Sequence, residues 1–211
     1  MFKNLMADNV LEMNIVSGFE MRQKAKRFED EGHKIIHLEL GEPDFTTPVN
    51  ICQAASLAML RGETHYAPPL GIPAFRSEIA KYVREFKGVP AEAKNVVVTP
   101  GAKPILYYTF QAFVKPGDEV VITDPGFPIY RVLTKFMGGK AVALKAKEEN
   151  SFRLTLEDLV PLVNEKTKLV VLNSPNNPTG SIIEEGELRR MAEFLRDKDL
   201  IVLSDEIYDR L

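Results

Sequence analysis

"LVVLNSPNNPTG", residues 169–180, decides how this chain reads. It opens as a short apolar run of Leu and Val, the signature of a buried strand. It then breaks into Asn173-Ser174-Pro175-Asn176-Asn177-Pro178-Thr179-Gly180. Three asparagines and two prolines at the end of one hydrophobic strand place polar groups and fixed turns where apolar packing stops.

Working outward, the same design recurs. "NVVVT" (95–99), "EVVIT" (119–123), "KAVALKA" (140–146), "KLVVLN" (168–173) and "LIVLSD" (200–205) read as strands. Between them lie helical segments: "AKPILYYTFQAFV" after Gly101, Phe127 to about Phe136, a helix started at Thr155, and "EEGELRRMAEFLRD". Apolar β-branched strands alternating with helices mean βαβ units, hence an α/β fold with a mostly parallel sheet and helices on both faces. Towards the N-terminus, Ser17 to Glu20 has the S-x-x-E form of a capping box, with a charged helix running to about Asp30. "IIHLEL" (35–40) reads as a further short strand, and Thr47-Pro48 as the cap and first position of a helix stopped by Gly62. In "GIPAFRSEIAKYVREF", Ile72, Phe75, Ile79, Tyr82, Val83 and Phe86 share one face of an amphipathic helix.

Bulk properties exclude several classes. The 211 residues are 45% hydrophobic and 27% charged with a net charge of −3, so no basic footprint argues for nucleic acid. The single cysteine, Cys52, excludes an internal disulfide and fits a reducing compartment. There is no signal-peptide core in residues 1–10, and no apolar run reaches the roughly 20 residues of a membrane span. The expectation is a soluble cytoplasmic protein. His33, His37 and His65 show no metal-ligand spacing, and Glu29-Asp30-Glu31 reads as a solvated helix end.

In an open parallel sheet, ligands gather at the carboxyl ends of the strands. Here those ends read "TPGAK" (99–103), "TDPGFPIY" (123–130), "NSPNNPTG" (173–180) and "SDEIY" (204–208), four polar or glycine-bearing termini that point to one pocket. Gly101 permits close backbone approach, and the helix behind it offers N–H groups and a positive dipole end to a phosphate; a plain strand-to-helix turn would use the same glycine. Asp205 ends a buried strand, where a carboxylate needs a cation or strong donor; a protonated ring nitrogen would serve, and so would the start of a following helix. Neither the dinucleotide glycine fingerprint nor the triphosphate P-loop string occurs, which disfavours a nucleotide-dependent dehydrogenase.

"GEPDF" (41–45), "THYAPPLGIPAFR" (64–76), "TPGAK", "DPGFPIY", "NSPNNPTG" and "SDEIY" occur in this order. Together they resemble the class I and II aminotransferases, pyridoxal-phosphate enzymes of the aspartate aminotransferase fold, from about residue 30 onward. The resemblance implies a fold-type I large domain over residues 47–211, incomplete at its C-terminal side, with residues 1–46 contributing to the small domain. It implies that Asp205 pairs with the pyridine nitrogen, that Tyr208 and Asn177 share the ring's phenolic oxygen, and that Asn177-Pro178 is a cis bond. It places Phe127 over the cofactor ring and Gly101, Ala102 and Lys103 on the phosphate turn. Tyr66 matches a tyrosine that reaches the neighbouring subunit's phosphate, so a homodimer is implied, and Gly41 matches the glycine beside the substrate carboxylate.

The family's Schiff-base lysine lies beyond the motif of Asp205, and no lysine of this sequence matches it. The chain therefore reads as an N-terminal portion, inactive alone, whose strand at 95–99 lacks neighbours and which folds poorly by itself. The implied activity of the full-length enzyme is amino transfer between an amino acid and a 2-oxo acid. The alternatives are a carbon–sulfur lyase or related synthase of the same fold, or a non-catalytic fragment. A regulator of this fold would carry a winged helix ahead of it, and the residues preceding the first match are too few and not basic.

Overall fold

The computed structural model describes residues 5–11, 13 and 18–211. Ser17, and with it the expected capping box, lies outside the described residues. The chain divides into two compact units, Met1–Asn14 with Pro100–Leu211, and Ile15–Thr99.

The first unit is built on four strands, β1 (Glu119–Asp124), β2 (Lys140–Lys145), β3 (Thr167–Asn173) and β4 (Ile201–Asp205), all parallel in the order β2-β1-β3-β4. Alternation along the central strands sorts side chains to two faces. Val120 and Ile122 of β1 and Leu169 and Val171 of β3 pack with Leu106 and Phe110 of α5 (Lys103–Phe113) and Tyr130 and Leu133 of α6 (Pro128–Phe136). Val121, Val170 and Leu172 point the other way, onto Leu159 of α7 (Leu156–Leu159) and Met191 and Leu195 of α8 (Glu185–Leu195). Burial of each large side chain contributes about 1.5–3 kcal/mol, so β1 and β3, apolar on both faces, are the best-anchored strands. A four-residue helix, α1 (Asp8–Leu11), also belongs to this unit. The α/β architecture with helices on both faces of a parallel sheet agrees with the alternation in the sequence.

The second unit contains α2 (Gly18–Asp30), α3 (Val49–Leu60) and α4 (Pro73–Lys87). Its buried cluster is small: Ala80, Ala91 and Val96, with Ile79, Val83 and Val98 packed against it. The apolar face expected on α4 is only partly used, because Ile72, Phe75, Tyr82 and Phe86 remain exposed. Helix α3 begins after Pro48, which occupies the cap position with no side-chain cap bond, one residue later than Thr47 implied.

Two expected strands form no ladder. At 96–99, Val96 has extended dihedrals, but its carbonyl accepts the Arg76 Nε–H at 2.8 Å and the Val98 N–H donates to the Leu70 carbonyl at 3.0 Å. A guanidinium and a loop carbonyl have replaced a neighbouring strand. At 35–40 no strand is present either, and Ile36 and Leu38 are 81% and 90% exposed. A β-branched run is insufficient by itself, since a strand needs a partner.

Candidate active site

The carboxyl ends of β1, β3 and β4 and the turn into α5 enclose a cavity of about 340 Å3, within the range of small-molecule sites (~300–1,000 Å3). The turn at Gly101, with φ +84°, feeds Ala102 and Lys103 into the first turn of α5. The opening N–H groups of a helix have no intrahelical acceptor, and they carry its positive dipole end. Pro104 contributes no N–H, so the donors there belong to the residues before and after it.

Asp205, the last residue of β4, is oriented by a donor on each oxygen. The Tyr130 phenol donates to Oδ2 at 2.7 Å and the Ile207 N–H donates to Oδ1 at 3.2 Å. Burial pushes the Tyr130 phenol well above its ordinary range, and the hydrogen bond and charge of Asp205 add to that. Tyr130 is therefore a permanent donor across the physiological range. Phe127, the residue before α6, stands edge-on to Tyr130, with ring centroids 5.8 Å apart at 86°.

The three asparagines of the opening stretch now have distinct tasks. Asn173, only 2% exposed, accepts the Asn177 N–H through Oδ1 at 2.8 Å and donates through Nδ2 to the Asp205 carbonyl at 3.0 Å. It ties the end of β3 to the end of β4. Asn176 donates from Nδ2 to Thr179 Oγ1 at 2.8 Å and to the Pro125 carbonyl at 3.3 Å, joining this loop to the one after β1. Asn177 donates from Nδ2 to the Tyr208 hydroxyl at 3.1 Å, so amide and phenol stand side by side at the cavity wall. The Asn177-Pro178 bond is cis, as the resemblance implied; Ser174-Pro175 and Asp124-Pro125 are cis as well.

A larger, more open hollow of about 730 Å3 lies in the other unit between α2 and residues 37–42. Its ionisable centre is already committed. His37 contacts Glu29 Oε1 at 2.9 Å and Glu39 Oε1 at 2.8 Å, and these bonds hold the imidazole above its ordinary value. The smaller cavity carries the convergent set.

The family profile described as aminotransferase class I and II matches residues 33–211. The chain belongs to that family. It is 41% identical over 186 residues to the probable aspartate/prephenate aminotransferase of Aquifex aeolicus, covering 88% of this chain and 47% of that protein. It is 42% identical over 183 residues to the aspartate aminotransferase of Sulfolobus acidocaldarius, covering 86% and 46%. Among solved structures, Thermus thermophilus aspartate aminotransferase with maleate superposes with a TM-score of 0.91 at 34% identity, over 96% of this chain and 53% of that one. The chain spans about half the length of the curated relatives it matches.

As an aminotransferase-family chain, it brings most of the sequence-derived candidates together. Gly101, Ala102, Lys103, Phe127, Asn177, Asp205 and Tyr208 all line the one cavity. Tyr66 and Gly41 belong to the second unit, both at the surface, with Tyr66 fully exposed. Among the lining residues that were not expected, Tyr130 and Asn173 carry the side-chain hydrogen bonds that brace the site. The available signal for Tyr130 was its place three residues after Phe127, on the same side of a helical turn. For Asn173 it was an amide closing a buried strand.

The donor set fits the family's pyridoxal phosphate. A carboxylate braced by two donors suits a cationic ring nitrogen. The Asn177–Tyr208 pair suits an oxyanion, Phe127 suits the face of a flat ring, and a helix start behind a left-handed glycine suits a phosphate.

Proposed function

We propose that the protein is a pyridoxal-phosphate-dependent aminotransferase that moves an amino group between an amino acid and a 2-oxo acid. The single observation that carries this reading is the convergence of seven expected cofactor residues, from separate strand ends, on one cavity. Relatives named for aspartate, prephenate and alanine support an amino-acid donor.

When bound, the cofactor supplies an electron-withdrawing pyridinium that eases bond breaking at the substrate's α-carbon. The chain's own residues prepare that. Asp205 keeps the ring nitrogen protonated by opposing its charge in a partly dry site. Asn177 and Tyr208 hold the ring's phenolic oxygen as a charge acceptor, Phe127 fixes the ring plane, and the Gly101–Lys103 turn takes the phosphate. Tyr66 reaches the phosphate of a neighbouring subunit in a homodimer, and Gly41 lies beside the substrate carboxylate. No lysine of these 211 residues is assigned the covalent role, and the chain by itself is inactive. Residues 1–46 contribute to a small domain and 47–211 to the cofactor-binding domain of a cytoplasmic enzyme.

The test has two stages. Pyridoxal phosphate is titrated calorimetrically into the cofactor-free full-length protein, and saturable one-site binding is expected; no binding would sink the reading. The full-length enzyme is then given amino donors with 2-oxoglutarate. Release of the donor's keto acid with glutamate is expected, whereas ammonia and pyruvate would point to a carbon–sulfur lyase.

A further inference from the structure

Tyr130 is 1% exposed, yet its hydroxyl reaches the wall of the cavity and donates to Asp205. Its ring is held from two directions: Leu106, Phe110, Leu133 and Leu169 share its apolar cluster, and Phe127 meets it edge-on. A ring fixed this tightly cannot follow a moving carboxylate; the carboxylate must conform to the ring. The second donor on Asp205, the Ile207 N–H, comes from the backbone just beyond β4. With one donor on each oxygen, the carboxylate plane is set before any ligand arrives.

We propose that Tyr130 is a positioning residue for the cofactor: its phenol fixes the orientation of Asp205 so that the carboxylate meets the ring nitrogen preorganised. The proposal rests on the cofactor reading of the preceding section. It extends that reading to a residue 75 positions from Asp205 in sequence. The burial that holds the phenol protonated supports the role, as does the charge facing it from Asp205. The competing account is that a buried phenol merely needs an acceptor and Asp205 is the one at hand.

The two accounts separate by coupling. Pyridoxal phosphate and its 1-deaza analogue, in which C–H replaces the ring nitrogen, are titrated calorimetrically into the wild type, Tyr130→Phe, Asp205→Asn and the double variant. The expected result is that Tyr130→Phe weakens pyridoxal phosphate roughly tenfold, the size of one hydrogen bond to a charged group. It should weaken the analogue by less than about twofold, and should add less than about twofold in the Asp205→Asn background. Equal weakening of both probes, or an undiminished effect without the carboxylate, overturns the positioning role while leaving the cofactor reading intact. A wild type that binds neither probe removes the cofactor reading and this proposal with it. Should Tyr130→Phe fail to fold, 4-fluorophenylalanine incorporated at position 130, which fills similar space without a donor, is put through the same two titrations, and equal weakening of both probes overturns the proposal.

Discussion

The two ends of the parallel sheet handle polar groups in opposite ways. At the amino end, Glu119 opens β1 with Lys140 directly beside it in the register of β2, and accepts from Lys140 Nζ and Asn164 Nδ2, both at 2.8 Å. Nearby, Lys168 Nζ meets Asp199 at 2.9 Å. Each of these charges is answered by a near neighbour in the ladder or an adjoining loop, and the ensemble closes on itself. At the carboxyl end, Asp205, Asn177, Tyr208 and the Gly101 turn come from separate strand ends and face a common space. Polar groups that satisfy one another make structure, whereas polar groups braced from behind and aimed together make a site.

That contrast can be broken most severely at Asp205. Asp205→Ala should weaken pyridoxal phosphate by roughly a hundredfold or more, the range for removing one partner of a buried charge pair. Calorimetry showing a loss under threefold would remove the carboxyl end's claim. Next is Asn173→Ala, which deletes one hydrogen bond between the ends of β3 and β4 and one that holds the Asn177 N–H. It should lower stability by about 2 kcal/mol in urea unfolding and loosen cofactor binding as well, because Asn177 and Asp205 both hang from it; unchanged affinity would make Asn173 purely structural.

A smaller effect sharpens the other half of the comparison. Hydrogen bonds from Lys140 and Asn164 hold the Glu119 carboxyl below its ordinary 4.5. A carboxylate with a lowered folded value stabilises fully above its unfolded value and loses that contribution as pH falls through the folded one. Glu119→Gln should therefore cost about 1 kcal/mol at pH 7, with the gap to wild type closing below pH ~4.5 and cofactor affinity unmoved throughout. Urea midpoints across that interval decide it, and a pH-independent gap would contradict the assignment. Least of all should change with Lys168→Ala, an exposed pair at the same end, within about 0.5 kcal/mol of wild type; a larger shift in midpoint would mean this end is less self-contained than drawn.

Much of this architecture could be read in advance because its determinants are local. The strand β3 announces itself through Leu169 to Leu172, and α6 through the aromatic-rich helical segment from Phe127 to about Phe136. Residues 95–99 carry an equally good β-branched run, yet whether such a run becomes a strand depends on a neighbour, and Val96 bonds to Arg76 instead. Within the site, Asp205, Tyr208, Asn177, Phe127 and the Gly101 turn were legible because strand ends collect ligands and the motifs resemble a family. Tyr130 and Asn173 were not, since each acts through a bond to another strand's terminus, 75 and 32 positions away for their contacts with Asp205, and no spacing rule spans such distances.

Phe127 and Tyr130 leave the chain on one helical turn, the first flanking the cavity and the second bracing Asp205. Their duties are thus mechanically indexed to each other. Exchanging either ring for another of similar shape disturbs one duty, but inserting a residue between Pro128 and Ile129, or deleting either of them, would swing Tyr130 about 100° around the helix and cancel both together. Over generations this tripeptide spacing should resist length change far more stubbornly than it resists change of side chain.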